Sequence, residues 1–154
     1  MTNYWLLGTN QTNFNIAKNN KFNIECFHDP YEHQVKMVQQ YDGLIYYIWQ
    51  IGKFGAITEA IDTYFFDDKN QIFEPLPNKP DEIYPHRILT TPVLVPKNDE
   101  LLDARGIIKN LNRVKNKKSW TWYVRNSIKK ILEEEFEIIK SEMRESGLYK
   151  EVNR

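Results

Sequence analysis

Three clusters in this sequence set an aromatic ring beside amide or basic side chains, which is the combination that holds a nucleic-acid base. They are Asn10, Asn13 and Phe14; Trp49 and Gln50; and the run from Lys115 to Trp122. Bases stack on aromatic faces, amides pair a donor and an acceptor with a base edge, and Lys or Arg neutralises phosphate. Composition alone allows another reading with equal weight, in which Trp5, Trp120 and Trp122 are core and the lysines are solvated surface. Residues for bond-making chemistry are sparser. His28 and His33 flank Asp29 and Glu32 but do not share a helical face, so they read as surface histidines rather than metal ligands. His86 stands beside Arg87 without a carboxylate partner nearby in sequence, and the lone Cys26 reads as buried filler. The glycines are too scattered for a phosphate loop. Glu133 to Glu135 suit the first turn of a helix.

The charge pattern points to a polyanion more than the total does. The formal net charge is +0, yet no Asp or Glu occurs from Ala104 to Leu132, where Arg105, Lys109, Arg113, Lys115, Lys117, Lys118, Arg125, Lys129 and Lys130 lie. Acids collect on both sides of that window, at Asp99, Glu100 and Asp103 before it and Glu133 to Glu137 after it. One face can therefore be strongly positive while the whole is neutral. The single cysteine excludes an internal disulfide and a multi-cysteine metal site, and it fits a reducing compartment. Met1 to Leu7 does not read as a secretory leader, and there is no long apolar run, so the expectation is a soluble, cytoplasmic protein without membrane contact or cofactor. The oligomeric state stays open.

These side chains need a scaffold, and the stretch from Gly43 to Thr63 supplies its centre. Gly43 to Trp49 is apolar on both faces, as a central strand requires, and it pairs across Ile51 to Phe54 with a strand that packs closely at Gly55 and Ala56. Before it come a strand at Tyr4 to Leu7, a short helix around Phe14 to Lys18 capped by Thr12 or Asn13, an edge strand at Phe22 to Phe27, and a helix from Tyr31 to Gln40 begun by Asp29-Pro30. Val35 and Val38 are its buried side. After the hairpin, Pro75, Pro77 and Pro80 stiffen a long irregular connection. The chain then reads as a strand interrupted at Pro92, two helical turns from Asp99 to Asn112, a last strand at Ser119 to Val124, and a helix from Asn126 to Met143. The 154 residues suit one domain over 1–146 with a frayed tail over 147–154. Hairpins outnumber crossovers, which favours an α+β, barrel-like sheet.

Four segments in order resemble the EVE-domain family: Tyr4-Trp5-Leu6-Leu7-Gly8-Thr9-Asn10; Asp42-Gly43-Leu44-Ile45-Tyr46-Tyr47 before Gly55-Ala56-Ile57-Thr58-Glu59-Ala60; Tyr84-Pro85-His86-Arg87; and Leu111-Asn112-Arg113-Val114-Lys115-Asn116-Lys117-Lys118-Ser119-Trp120. The resemblance covers almost the whole chain. It implies a PUA-like fold, a small mixed β-barrel with peripheral helices, related to the YTH domains that read methylated adenine in RNA. It also implies a non-catalytic pocket for a modified base in RNA or DNA, bounded by the first turn, the segment after the first helix and the end of the central strand. Thr9, Asn10, Asn13, Asn23 and Gln50 would line it, with Trp49 or Phe66 as the stacking face. Where the related domains carry a cage Trp this chain reads Lys21-Phe22-Asn23-Ile24, so the resemblance puts Phe22 in the pocket as the replacement aromatic, or leaves none there, with a weaker or rearranged cage. Arg87, Arg113, Lys115, Lys117 and Lys118 would lie nearer the phosphates. Two rival readings remain: a small-metabolite or protein-interaction module using the same pocket, and a nucleotide-directed enzyme using His86 or Asp62.

Overall fold

A computed structural model describes residues 1–114 and 117–152, with the side chains of 117–119 excepted. The elements in order are β1 (Tyr4–Thr9), α1 (Gln11–Asn19), β2 (Ile24–Phe27), a 3₁₀ turn (Asp29–Tyr31), α2 (Glu32–Met37), β3 (Gly43–Ile48), β4 (Lys53–Ala60), β5 (Phe65–Phe66) and β6 (His86–Pro96). There follow β7 (Leu102–Asp103), α3 (Arg105–Lys109), a 3₁₀ helix (Lys117–Val124), β8 (Ile128–Ile131), α4 (Glu133–Glu145) and β9 (Tyr149–Glu151). The strands join in the order β2-β6-β4-β3-β1-β8, with β5 and β9 added along β6 and β7 along β4. The result is an α+β fold whose mixed sheet curls into a half-barrel.

The sheet is covered on both faces, and β3 shows why. Its Leu44, Tyr46 and Ile48 join Trp5, Leu7, Phe14 and Phe22 in one core, while Ile45 and Tyr47 join Leu6, Ile57, Phe136 and Ile139 in the other. Alternation along an all-apolar strand thus serves two cores at once. Phe14 of α1 packs so closely on β4 that a Cβ at Gly55 would meet its ring at 2.3 Å, which accounts for the small residue there. β1 and β3 run parallel, and the crossover between them carries α1, β2 and α2. That crossover positions the site, because it sets the end of β1, the end of β3 and the exit of β2 side by side.

Some expectations are corrected. The cap of α1 is Asn10, whose Oδ1 accepts the Asn13 N–H at 2.8 Å. The second helix is shorter than read from sequence, ending where Val38 turns extended, although Val35 and Val38 are buried as expected. Ser119 to Val124 is 3₁₀ helix, not strand. The long closing helix is β8 followed by α4: β8 pairs antiparallel with the outer edge of β1, an edge a helix would leave unpaired. Ile128 and Ile131 have helix-like spacing but enter different cores. Pro92 does not interrupt β6 but sits beside a register shift in its pairing with β4. The segment expected to fray carries β9, which pairs with the end of β6 and buries Tyr149.

Candidate functional site

The ends of β1, β2 and β3 meet a long loop, and a cleft of about 190 Å³ opens between them. From β1 come Gly8 and Thr9, followed by the cap residue Asn10; from β2 come Glu25, Cys26 and Phe27, followed by His28. Trp49 follows β3 and is held to the end of β1 by its N–H on Thr9 O at 3.1 Å. The opposite wall is the proline-rich segment between β5 and β6, through Phe73, Leu76, Lys79, Glu82 and Tyr84. The volume is below the roughly 300–1,000 Å³ of drug-sized sites and suits a single planar ring system. Trp49, 49% exposed, stands on the rim. Beyond it a second, open hollow is lined by Gly8, Tyr47, Thr121, Val124, Arg125, Asn126 and Ser127.

The loop wall is irregular in backbone yet firmly tied. Asn13 clips it in two directions, its Oδ1 accepting the Glu74 N–H at 2.8 Å and its Nδ2 donating to Glu74 O at 3.1 Å. Arg87 donates to Tyr84 O at 3.2 Å, to Asp67 Oδ2 at 3.0 Å and to Asn70 O. His86 is buried with both ring nitrogens engaged, Nε2 with Asp29 Oδ1 at 2.7 Å and Nδ1 with the Tyr64 hydroxyl at 2.8 Å. The carboxylate partner that sequence proximity does not reveal therefore arrives from across the fold.

The floor of the cleft is less complete. Glu25 is 3% exposed; among the described residues its Oε1 accepts only the Cys26 N–H, at 3.3 Å, and Oε2 has no partner. Burial pushes its carboxyl up to about 8, against the opposing pull of the Tyr46 hydroxyl and the Cys26 N–H. The Tyr46 hydroxyl, itself buried without a well-formed hydrogen bond, faces Glu25 closely enough to pull on its carboxyl. His28 Nδ1 is buried and unpartnered, while Nε2 lies 4.0 Å from Glu82. Burial holds the His28 imidazole below its ordinary range despite Glu82. Burial and Glu82 push the Tyr84 hydroxyl up to about 12, and burial drives the Cys26 thiol up as well.

Of the residues expected at the pocket, the structure brings together Thr9, Asn10, Asn13 and Trp49. Asn13 is spent on Glu74, and Asn10 Oδ1 on its cap, leaving Asn10 Nδ2 without a partner among the described residues. Phe22 is in the core, its ring 5.7 Å from both Phe14 and Tyr46, because positive φ at Lys21 and Phe22 turns the chain inward. Asn23 and Gln50 lie outside the cleft; Gln50 accepts the Gln11 N–H at 2.6 Å. Phe66 is 54% exposed on β5, edge-on to His86 and away from the cleft. Arg87 is buried in its ion pair, and Arg113 grips Glu135 at 2.9 and 2.6 Å, so neither is a free phosphate ligand. Lys115 lies outside the described residues, as do the side chains of Lys117 and Lys118. Sequence reasoning missed Glu25, Phe73, Lys79, Glu82, Tyr84 and Arg125, and placed His28 on the surface. The available signal was a short strand running into His28-Asp29-Pro30 opposite a long proline loop. Among the described residues no three His, Cys, Asp or Glu side chains gather as a metal site, and no helix is long and apolar enough to cross a membrane.

No family model matches the chain. A UPF0310 protein of Pyrococcus abyssi is 27% identical over 146 residues, spanning 90% of this chain and 97% of its own length. A hypothetical protein from Leishmania major superposes with a TM-score of 0.66 at 15% identity, over 96% of this chain and 98% of its own. The YTH domain of the Zygosaccharomyces rouxii MRB1 protein, solved in complex with N6-methyladenosine RNA, superposes at 0.64 with 13% identity, over 93% of this chain and 87% of its own. The fold is accordingly the PUA-like one that YTH domains share.

Proposed function

We propose that the chain is a member of the EVE-domain branch of this fold and a non-catalytic reader of a modified base in single-stranded RNA. The base enters the cleft between the β1, β2 and β3 ends and the proline loop. The observation that carries the reading is the conjunction at one rim of a half-exposed Trp49, an Asn10 Nδ2 without a partner among the described residues and a polar floor, in a cavity of single-base size. Trp49 supplies the stacking face, worth roughly 1–3 kcal/mol per base, which offsets the cost of leaving the strand's own stack. The adjoining hollow takes the neighbouring backbone, and Arg125, exposed and without an ion pair among the described residues, meets phosphate there. That residue takes the role first assigned to Arg87 and Arg113. A methyl group on the base adds about 0.8 kcal/mol of burial. The Cys26 thiol and Tyr84 hydroxyl of the cleft are pushed up, away from use as nucleophiles at neutral pH, and His86, outside the cleft, is engaged at both nitrogens.

The test is a fluorescence titration of nucleic-acid-stripped protein with single-stranded RNA carrying plain or methylated adenine or cytosine, in wild type and in Trp49→Ala. Expected are preference for one modified base, a Kd weakened roughly 5- to 150-fold in the variant, and a loss of affinity with added salt. Affinity untouched by Trp49→Ala overturns the reading. Salt-insensitive capture of a small metabolite replaces it with the rival module.

A further inference from the structure

Buried polar atoms are almost always paired, so two orphans in one cleft call for a ligand that pairs them. Glu25 Oε2 and His28 Nδ1 are both inaccessible and both unpartnered, and both residues line the cleft, one on β2 and the other just past its end. Glu25 is over nine-tenths buried. We propose that Glu25 and His28 read the edge of the bound base, Glu25 as donor through Oε2 and His28 as acceptor through Nδ1. The cleft then selects an edge that sets a ring acceptor beside an exocyclic N–H, as cytosine and adenine do, over the ring N–H of uracil or guanine. This rests on the base-reading function proposed above and names the residues and the class of base.

The roles follow from what surrounds each group. A carboxyl removed from water keeps its proton at neutral pH, as burial dictates for Glu25. Oε1 already accepts the Cys26 N–H, so the proton belongs on Oε2, the free oxygen. His28 is held neutral by burial, and Glu82 on the Nε2 side favours the proton there, which leaves Nδ1 as acceptor. A base with a ring N–H would set a donor against the Glu25 O–H and strand both. Such a mismatch costs more than a missing methyl group does. A single retained N–H on the exocyclic nitrogen satisfies His28, so monomethylation there is tolerated.

The arrangement is pH-dependent. The titratable and charged groups around Glu25 are Tyr46 on β3, Cys26 on its own strand, His28, and Lys79, Glu82 and Tyr84 in the loop wall; Arg87 on β6 is engaged by Asp67. Ionisation of Glu25 turns its donor into an acceptor and reverses the preference.

The experiment uses single-stranded RNA oligonucleotides that differ in one central base, cytosine, adenine, uracil or guanine, among abasic linkers. Binding is measured by tryptophan fluorescence at about pH 6.5 and about pH 9.5, on either side of the Glu25 transition. The expected result is about tenfold tighter binding of cytosine and adenine at the lower pH, shrinking at least about threefold at the higher. In Glu25→Gln, whose amide offers donor or acceptor at either pH, both the preference and its pH dependence flatten. Trp49-dependent binding that treats all bases alike, or a wild-type preference unchanged by pH, overturns the inference and leaves the reader standing. Absence of Trp49-dependent binding to every oligonucleotide removes the reader itself, and this inference with it. The pH series on wild type needs no variant to fold.

Discussion

Asp42 and Glu25 are both carboxyl groups buried against the same sheet, at 0% and 3% exposure, and the fold treats them in opposite ways. Asp42 precedes β3 and is saturated: Oδ1 accepts the Asn3 N–H at 2.9 Å, and Oδ2 accepts the Trp5 Nε1–H at 2.9 Å and the Gln39 N–H at 3.0 Å. It joins the start of β1, the end of the α2 segment and the entry to the central strand. Glu25 has one long bond and an empty oxygen. Burial of an acid is therefore not the signal of a site; an incomplete set of partners is. One carboxylate closes the fold, and the other is left for something outside it.

The comparison breaks first at Asp42. Asp42→Ala strands the Trp5 indole N–H and two backbone N–H groups in the interior, and a loss of about 3–5 kcal/mol is expected. Urea unfolding measures it, and a loss below about 1 kcal/mol would demote Asp42 from joint to bystander. Glu25→Gln acts in the opposite direction. With a folded-state pKa raised to about 8, the carboxyl holds its proton more tightly folded than unfolded. Its contribution to stability is therefore full below the unfolded value of about 4.3 and is lost as pH rises toward the folded one. The Gln variant does not suffer that loss, so it gains on wild type between about pH 5 and pH 8, by about 2–4 kcal/mol near pH 7. A constant gap between the two proteins across that range would show that Glu25 is not held neutral.

Arg87 tests the same contrast in the wall of the cleft. It is buried and saturated, like Asp42, and its removal takes the ion pair from Asp67 and the donors from two loop carbonyls. Arg87→Ala is expected to cost about 2–3 kcal/mol. It should also speed proteolysis between Asp67 and Pro85 more than cleavage elsewhere. Uniform loosening of the whole chain would instead make Arg87 a general core residue.

What the sequence made legible divides along the same line. β3, its hairpin to β4, the edge position of β2 and the tight approach at Gly55 all follow from local pattern, and the structure has them. The meeting of Thr9, Asn10, Asn13 and Trp49 followed from resemblance, since no local rule joins residues so far apart in sequence. The misses are places where a distant partner overrides the local period. Ile128 and Ile131 look helical until the free edge of β1 claims them. Glu25 passed unnoticed in the edge strand, because nothing local announces that the proline loop will cover it. His86 and Arg87 looked free because Asp29 and Asp67 come from other elements.

The smallest effect sharpens the distinction between two asparagines that sequence alone treats alike. Asn10 and Asn13 both line the cleft, but Asn13 spends both ends of its amide on the Glu74 backbone, while Asn10 Nδ2 has no partner among the described residues. The Asn10 cap receives the backbone N–H of residue 13, not its side chain, so Asn13→Ala leaves the cap of α1 intact. What the variant removes is the clip between α1 and the loop wall, at an expected cost of about 1 kcal/mol. The reporter is local: hydrogen exchange at the Glu74 amide, which bonds to Asn13 Oδ1 at 2.8 Å, should quicken while exchange in β3 stays slow. Asn13→Asp keeps that acceptor and loses the donor to Glu74 O, so its Glu74 amide should remain protected while the loop loosens in part. If Glu74 exchanges at the wild-type rate in Asn13→Ala, Arg87 alone holds the wall, and Asn13 is freed for the base-facing role from which its hydrogen bonds exclude it.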